Sequence, residues 1–198
     1  MKGRKRGTLL AAVLAMLLLA LAAPVQAKTV AKAKTYSLKT VTKAAEQKGR
    51  WVAKKGKTYY KLANGKYLKN RWLKYDGKFY YLNSKGYRVS GWIQYRGKQY
   101  YTRKNTGVLY LGWLRLGKKT YYMKPTGEMT TGRSTIDKAE YYFDKNGVRQ
   151  TGWVTIGKYR YCFDTSTGRM KKECWVKNGS KYRYVTANGR MAKSRWLS

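Results

Sequence analysis

Three kinds of side chain recur in this 198-residue sequence at spacings that could carry chemistry. Lys57, Lys78, Lys98, Lys118 and Lys158 each directly follow a glycine and share one beat, so they could present a row of ammonium groups to a polymer with regularly spaced negative charge. Weak contacts repeated on one rigid scaffold gain through multivalency without any strong single contact. Seven tryptophans, Trp51, Trp72, Trp92, Trp113, Trp153, Trp175 and Trp196, stand on one comb with intervals of 21, 20, 21, 40, 22 and 21. Ring faces at such spacing could hold cations or sugars, or could simply pack a core. Cys162 and Cys174 could bridge in an exported chain, or remain two thiols; the separation of their Cα atoms decides, and the sequence does not give it.

The same inventory disfavours an enzyme. With 45 Lys+Arg, 8 Asp+Glu and no His, the chain has little from which to build general acid/base or nucleophilic sites. Asp137, Glu140 and Asp144 are near one another, yet they read as offsets to local Lys and Arg, so no catalytic residue is assigned. Neither a metal site nor a cofactor nor a small-molecule substrate is expected. The formal charge of +37 points instead to an anionic partner, because far less net charge suffices to keep a small domain soluble. Apolar residues at 43% and aromatics at 15% place the chain among folded proteins.

Other columns keep the beat of the tryptophans and define the elements that position them. Glycines at 56, 77, 97, 117, 157 and 179 follow most of the tryptophans. An aromatic pair comes next, from Tyr59-Tyr60 to Tyr141-Tyr142, degraded to Tyr161-Cys162 and Tyr182-Arg183-Tyr184. A second glycine closes each unit at 65, 86, 107, 127, 147, 168 and 189. Asp76-Gly77 between Trp72-Leu-Lys-Tyr75 and Lys78-Phe-Tyr-Tyr-Leu82 has the chemistry of a two-residue hairpin turn between strands. Each unit therefore reads as a β-hairpin, and since one hairpin is marginal in water, the units should stack. The expected fold is all-β, a solenoid of seven hairpins of about 20–21 residues. Arg133 takes the tryptophan place in the fifth unit, which also lacks its first glycine and could form a bend or a partner site. Arg195-Trp196-Leu197-Ser198 opens a truncated further unit whose Trp196 would cap the last hairpin.

Ahead of the repeats, Lys2, Arg4, Lys5 and Arg6 precede an apolar run from Leu9 to Ala23 and a small-residue exit at Ala27. Residues 1–27 read as a secretory signal peptide, 28–48 as a basic linker and 49–198 as the repeat domain. The apolar run is short for a bilayer span and none follows it, so no stable membrane span is expected after cleavage. The expected location is outside the cell, at the wall or surface.

Gly91-Trp92, Gly97-Lys98-Gln99-Tyr100-Tyr101, Thr106-Gly107, Gly112-Trp113 and their copies resemble the cell-wall-binding repeats of Gram-positive surface proteins, a family with choline-binding and glucan-binding members. The resemblance covers residues 49–198. It implies an aromatic cage between consecutive hairpins, made by the tryptophan, the residue before the tyrosine pair and an aromatic of the next repeat. Carried over, the tryptophan column survives at Trp51, Trp72, Trp92, Trp113, Trp153 and Trp175, while only Phe79 and Tyr182 keep a ring before the pair. A surface this positive repels a free cation at long range. The reading is therefore a non-catalytic wall-binding protein that attaches to anionic cell-envelope polymer of the teichoic-acid type through its lysine edge. The alternative is a glucan, other carbohydrate or choline module using the ring sites. Nucleic acid is disfavoured because rings at core periodicity cannot stack on bases. The more exposed ring of each tyrosine pair is left as a candidate for glycan stacking.

Overall fold

The structure is a computed structural model and describes residues 47–193. The expected signal peptide, nearly all of the linker and the truncated unit with Trp196 lie outside the described residues. Fourteen strands form seven antiparallel pairs, each a separate two-stranded sheet, with no helix among the described residues. Hairpin 1 pairs β1 (Gly49–Lys54) with β2 (Lys57–Leu62), hairpin 2 pairs β3 (Arg71–Tyr75) with β4 (Lys78–Leu82), and hairpin 3 pairs β5 (Gly91–Tyr95) with β6 (Lys98–Thr102). Hairpin 4 pairs β7 (Gly112–Leu116) with β8 (Lys119–Met123), and hairpin 5 pairs β9 (Gly132–Ile136) with β10 (Ala139–Phe143). Hairpin 6 pairs β11 (Gly152–Ile156) with β12 (Tyr159–Phe163), and hairpin 7 pairs β13 (Cys174–Asn178) with β14 (Lys181–Val185).

Every tip is a two-residue turn, but two chemistries make it. Lys55-Gly56, Asp76-Gly77 and Arg96-Gly97 have positive φ at both residues, whereas at Gly117-Lys118, Gly157-Lys158 and Gly179-Ser180 the positive φ falls on the glycine alone. These are the two turn forms whose twist matches that of paired strands. In hairpin 5, Asp137 and Lys138 adopt φ 48° and 66°, so the unit without a turn glycine still closes in the common register and is not a bend in its own pairing.

Strand alternation gives each hairpin two faces. One carries the tryptophan and the second residue of the tyrosine pair, cross-strand partners such as Trp72 and Tyr81; the other carries the residue after the tryptophan and the first tyrosine, such as Leu73 and Tyr80. The tryptophan face of one hairpin packs on the opposite face of the next. Tyr60 and Trp51 thus cluster with Leu73 and Leu82, Trp72 and Tyr81 with Ile93 and Tyr100, and Trp113 and Tyr122 with Ile136, Tyr141 and Phe143. Both rings of the pair are consumed this way in hairpins 2 and 3, where Tyr80, Tyr81, Tyr100 and Tyr101 are all buried. In these hairpins the pair leaves no exposed ring for a glycan, because both faces are covered by neighbours.

A backbone ladder locks the stack. Two residues after each second glycine from Gly86 to Gly189, an N–H donates to the carbonyl before the tyrosine pair of the preceding hairpin: Arg88 to Thr58, Leu109 to Phe79, Met129 to Gln99, Arg149 to Thr120, Met170 to Glu140 and Met191 to Arg160, all at 2.7–2.8 Å. The following residue donates within its own unit, as Val89 does to Tyr81. The side chain of each bridging residue then lies on the second glycine of the next unit, where a Cβ on Gly107 would stand 2.7 Å from Arg88 Cδ. One residue thus touches three consecutive repeats, which explains the second glycines from Gly107 to Gly189 by close approach; the first column, with open space around it, is explained by turn φ.

Candidate functional site

The seven tips all carry exposed lysine: Lys57, Lys78, Lys98, Lys118 with Lys119, Lys138, Lys158 and Lys181. The five expected from the sequence do not form one equivalent row. Lys57, Lys78 and Lys98 open the second strand, whereas Lys118 and Lys158 are the second residue of turns that begin with glycine. The shift comes from the two turn chemistries, and Lys119 and Lys181 are the strand-opening counterparts in hairpins 4 and 7. Lys78 pairs with Asp76 at 3.3 Å, while Lys57 and Lys158 lie 5.2 and 5.5 Å from the rings of Tyr87 and Tyr159. With 45 basic residues against 8 acidic ones, internal pairing cannot neutralise the surface.

Between hairpins, each tryptophan from Trp51 to Trp113 sits in a box of tyrosines. Trp51 meets Tyr60 of its own hairpin at 5.1 Å and Tyr80 of the next at 5.0 Å; Trp72, Trp92 and Trp113 repeat this with Tyr81 and Tyr100, Tyr101 and Tyr121, and Tyr122 and Tyr141. Such edge contacts add about 0.5–1.5 kcal/mol each beyond area burial. Phe79, expected to complete a cage, packs instead against the sealed cluster of Trp72 and Tyr100, which are 4% and 0% exposed. Burial, with the nearby Glu128 carboxylate and then Tyr95 adding to it, pushes the Tyr100 hydroxyl up to about 12. Trp92 stays 40% exposed, and on the last described hairpin Trp175 and Tyr182 are 64% and 61% exposed.

Arginines that the tryptophan comb did not single out stand over several of these rings. Arg88 lies 5.7 Å from the Trp51 ring, Arg149 5.9 Å from Trp113 and Arg160 5.4 Å from Trp153. Arg88 and Arg149 were legible as members of the column two residues after the second glycine, which otherwise reads Tyr67, Leu109, Met129, Met170 and Met191. In hairpin 5, Arg133 places its guanidinium 5.1 Å from Tyr161, the ring a tryptophan there would meet, and pairs with Glu140, whose other oxygen takes Lys172 at 2.5 Å. Hydrogen bonds from Lys172 and then Arg133 hold the Glu140 carboxyl below its usual range. Of the three acids of this repeat, Glu140 is tied to two cations and Asp144 caps its own loop by accepting from the N–H groups of Asn146 and Val148.

Cys162 and Cys174 are free thiols, so the bridge held open from the sequence is not formed here. Cys162 is buried beside its cross-strand partner Trp153, on the face that meets hairpin 7, and Cys174 opens β13 on the side facing it. Burial pushes the Cys162 thiol up, Cys174 adds to this, and Lys171 opposes it. Position by position Cys174 replaces the glycine before a tryptophan, but the positive φ of that corner has moved to Glu173.

Repeats of this kind occur in known proteins. Residues 130–175 and 150–196 match the choline-binding repeat, and residues 70–88, 90–109 and 112–129 match the putative cell wall binding repeat. No curated protein sequence matches. Among solved structures, the chain is similar to CbpJ of Streptococcus pneumoniae, with 28% identity and a TM-score of 0.66 over 73% of this chain and 48% of that one. It is also similar to choline binding protein F of the same organism, at 34% identity and TM-score 0.65 over 74% and 48%. That protein in the presence of a peptidoglycan analogue, a tetrasaccharide-pentapeptide, matches at 34% and 0.66 over 74% and 47%. The chain spans about half the length of these solved relatives.

Proposed function

This chain belongs to the choline-binding, cell-wall-binding repeat family, and from that premise we propose that it is an exported, non-catalytic wall-binding protein whose hairpin tips hold anionic cell-envelope polymer of the teichoic-acid type. The observation that carries the reading is that all seven tips present exposed lysine at the repeat interval. A polymer with one negative charge per subunit can run along such tips, each contact weak and the sum strong. The charge excess supports a polyanion over a free cation, which the same field repels. The relatives supply the setting, a cell-wall module, with one of them solved in the presence of a peptidoglycan analogue.

Co-sedimentation of the protein with purified wall sacculi, before and after acid stripping of anionic polymer and across a salt series, tests this. Binding should fall on stripping and weaken steeply with salt, by the counterion-release logic of polyanions. Lys78→Gln, Lys98→Gln and Lys119→Gln together should weaken binding and flatten its salt dependence. Binding that survives both stripping and salt would refute the lysine mechanism. A second reading, sugar stacking, rests on the exposed rings of Trp92, Trp175 and Tyr182, and Trp175→Ala with Tyr182→Ala would then abolish the salt-insensitive binding.

A further inference from the structure

We propose that Arg88, Arg149 and Arg160 are built-in cations: their guanidinium groups lie over the rings of Trp51, Trp113 and Trp153, in tyrosine boxes at the first two and beside Cys162 at the third, and close those three interfaces to an external quaternary ammonium ion. They are the specificity-determining residues of the stack, and this holds independently of what the lysine tips bind.

The placement is fixed by the backbone. Arg88 donates its N–H to Thr58 of hairpin 1, and its stem runs over Gly107 of the third unit, so the guanidinium has a defined path to Trp51. Arg149 repeats the arrangement, donating to Thr120, running over Gly168 and reaching Trp113. Its far end is held as well, by the carbonyls of Thr167 at 2.6 Å and Ser166 at 3.2 Å, while its buried Nε has no hydrogen-bond partner among the described residues. A buried unpaired donor is costly, so its retention marks a position set by the ring beneath and the carbonyls beyond.

Occupancy of each box also obeys a steric rule. Across the ladder, arginine faces the small residues Thr58 and Thr120, whereas Leu109, Met129 and Met170 face the longer Phe79, Gln99 and Glu140. At the sixth interface the roles exchange, with the cation supplied by Arg160 from the other side and Met191 opposite it. Each of these three tryptophan rings thus receives one guanidinium from one side or the other. A cation tethered at the ring competes at an effective concentration on the order of millimolar or higher, and no free ammonium ion at ordinary concentration displaces it.

The test is a titration of the full-length protein, labelled with 15N at the indoles, with choline chloride against a sodium chloride control, tracking each indole N–H. The indoles of Trp51, Trp113 and Trp153 should not shift saturably. Arg88→Met and Arg149→Met, the residue that Met129 and Met170 already supply in this column, should each gain a saturable shift at their own tryptophan, with choline binding there at least tenfold tighter. Arg160→Thr, matching Thr58 and Thr120, is an independent variant at the sixth interface and decides the matter if a methionine variant does not fold. A saturable shift at any of the three indoles in the unaltered protein overturns the proposal, as do folded variants that gain none. Tip variants such as Lys98→Gln should leave all of these results unchanged, which separates this inference from the polymer reading.

Discussion

Gly97 and Gly107 belong to the same repeat and have nearly the same backbone conformation, φ 71° and 67°, but their surroundings differ completely. Nothing lies within 4 Å of a Cβ built on Gly97, whereas one on Gly107 would stand 2.7, 2.8 and 2.9 Å from Cδ, Nε and Cγ of Arg88. Replacing Gly97 with alanine therefore incurs the left-handed conformation alone, about 1–2 kcal/mol. Gly107→Ala incurs the same cost and adds a collision that is resolved by straining the turn or by pushing Arg88 aside. Overpacking of this kind costs about 1–3 kcal/mol, and displacing Arg88 from Trp51 forfeits about 0.5–2 kcal/mol of cation–π attraction. By either route Gly107→Ala should be the more destabilising by about 0.5–3 kcal/mol. Urea unfolding monitored by circular dichroism, at fixed salt, reads the difference as a shift in midpoint at constant slope. The double variant Arg88→Ala with Gly107→Ala supplies the internal check: with the stem removed, the added cost of the alanine should fall to that seen at Gly97. Equal midpoints for the two single glycine variants, or no recovery in the double variant, would refute the assignment of the second glycine column to close approach.

Other consequences can be checked on the same protein. The Tyr81 hydroxyl donates to Asn70 Oδ1 at 2.8 Å while the Tyr100 hydroxyl is buried without a hydrogen-bond partner among the described residues, so Tyr81→Phe should cost about 0.5–1.5 kcal/mol in urea unfolding and Tyr100→Phe should be neutral or stabilising. Glu140 has a folded-state pKa below its reference of 4.5, so its contribution is complete above that value and is lost as pH falls through the lower folded value. Glu140→Gln should thus be less stable than the parent at pH 7, with the gap narrowing below about pH 4.5 and vanishing in stronger acid; a pH-independent gap would exclude ion pairing as the cause. For the cysteines, half-buried Cys174 should alkylate before buried Cys162 in the native protein, read by peptide mass spectrometry. Because the two thiols sit on facing sides of one interface, mild oxidation should join hairpins 6 and 7 without loss of β signal, and unfolding before bridging would contradict that placement.

Much of the fold was legible because the repeat forces every local signal into columns. Seven hairpins and the tryptophans from Trp51 to Trp175 fall where the sequence places them, since Asp76-Gly77 and Trp72-Leu73 are local statements that the stack only repeats. The site was less legible, for reasons that are also physical. Lys118 and Lys158 come after a glycine in sequence just as Lys57 does, yet glycine in the first rather than the second turn position shifts the start of the second strand by one residue. Sequence spacing does not distinguish the two turns without the residue ahead of the glycine: Leu116 and Ile156 end strands, whereas Lys55, Asp76 and Arg96 are turn residues. The packing of Phe79 was not legible for another reason. A column of rings cannot reveal that the next hairpin supplies Tyr100 and Leu109 to fill the space. The arginines over Trp51 and Trp113 come from one hairpin further along, a contact that becomes visible only once the ladder sets which residue bridges which pair.

The fifth repeat shows what the stack requires of any one position. Its tryptophan is Arg133 and its turn glycine is missing, two losses that would each end a hairpin made by local rules alone. Asp137 and Lys138 nevertheless take the left-handed conformation, at a cost of about 1–2 kcal/mol per non-glycine residue. The neighbours offset that cost, because Tyr141 and Phe143 are already captured on one side by Trp113, and Tyr142 meets Phe163 of hairpin 6 on the other. Arg133 then keeps the tyrosine contact that Trp51, Trp72, Trp92 and Trp113 make across their interfaces, here with Tyr161, exchanging a ring edge for a cation over the ring face. Glu140 in turn holds that cation in place and ties it to Lys172, ahead of β13. What is retained is an attractive partner for the tyrosine of the next unit, and tryptophan and arginine are two ways of supplying it. The same exchange, with arginine added above tryptophan instead of replacing it, sets a guanidinium over the rings of Trp51, Trp113 and Trp153, so a highly basic sequence directs part of its charge inward as structure while its tip lysines stay exposed.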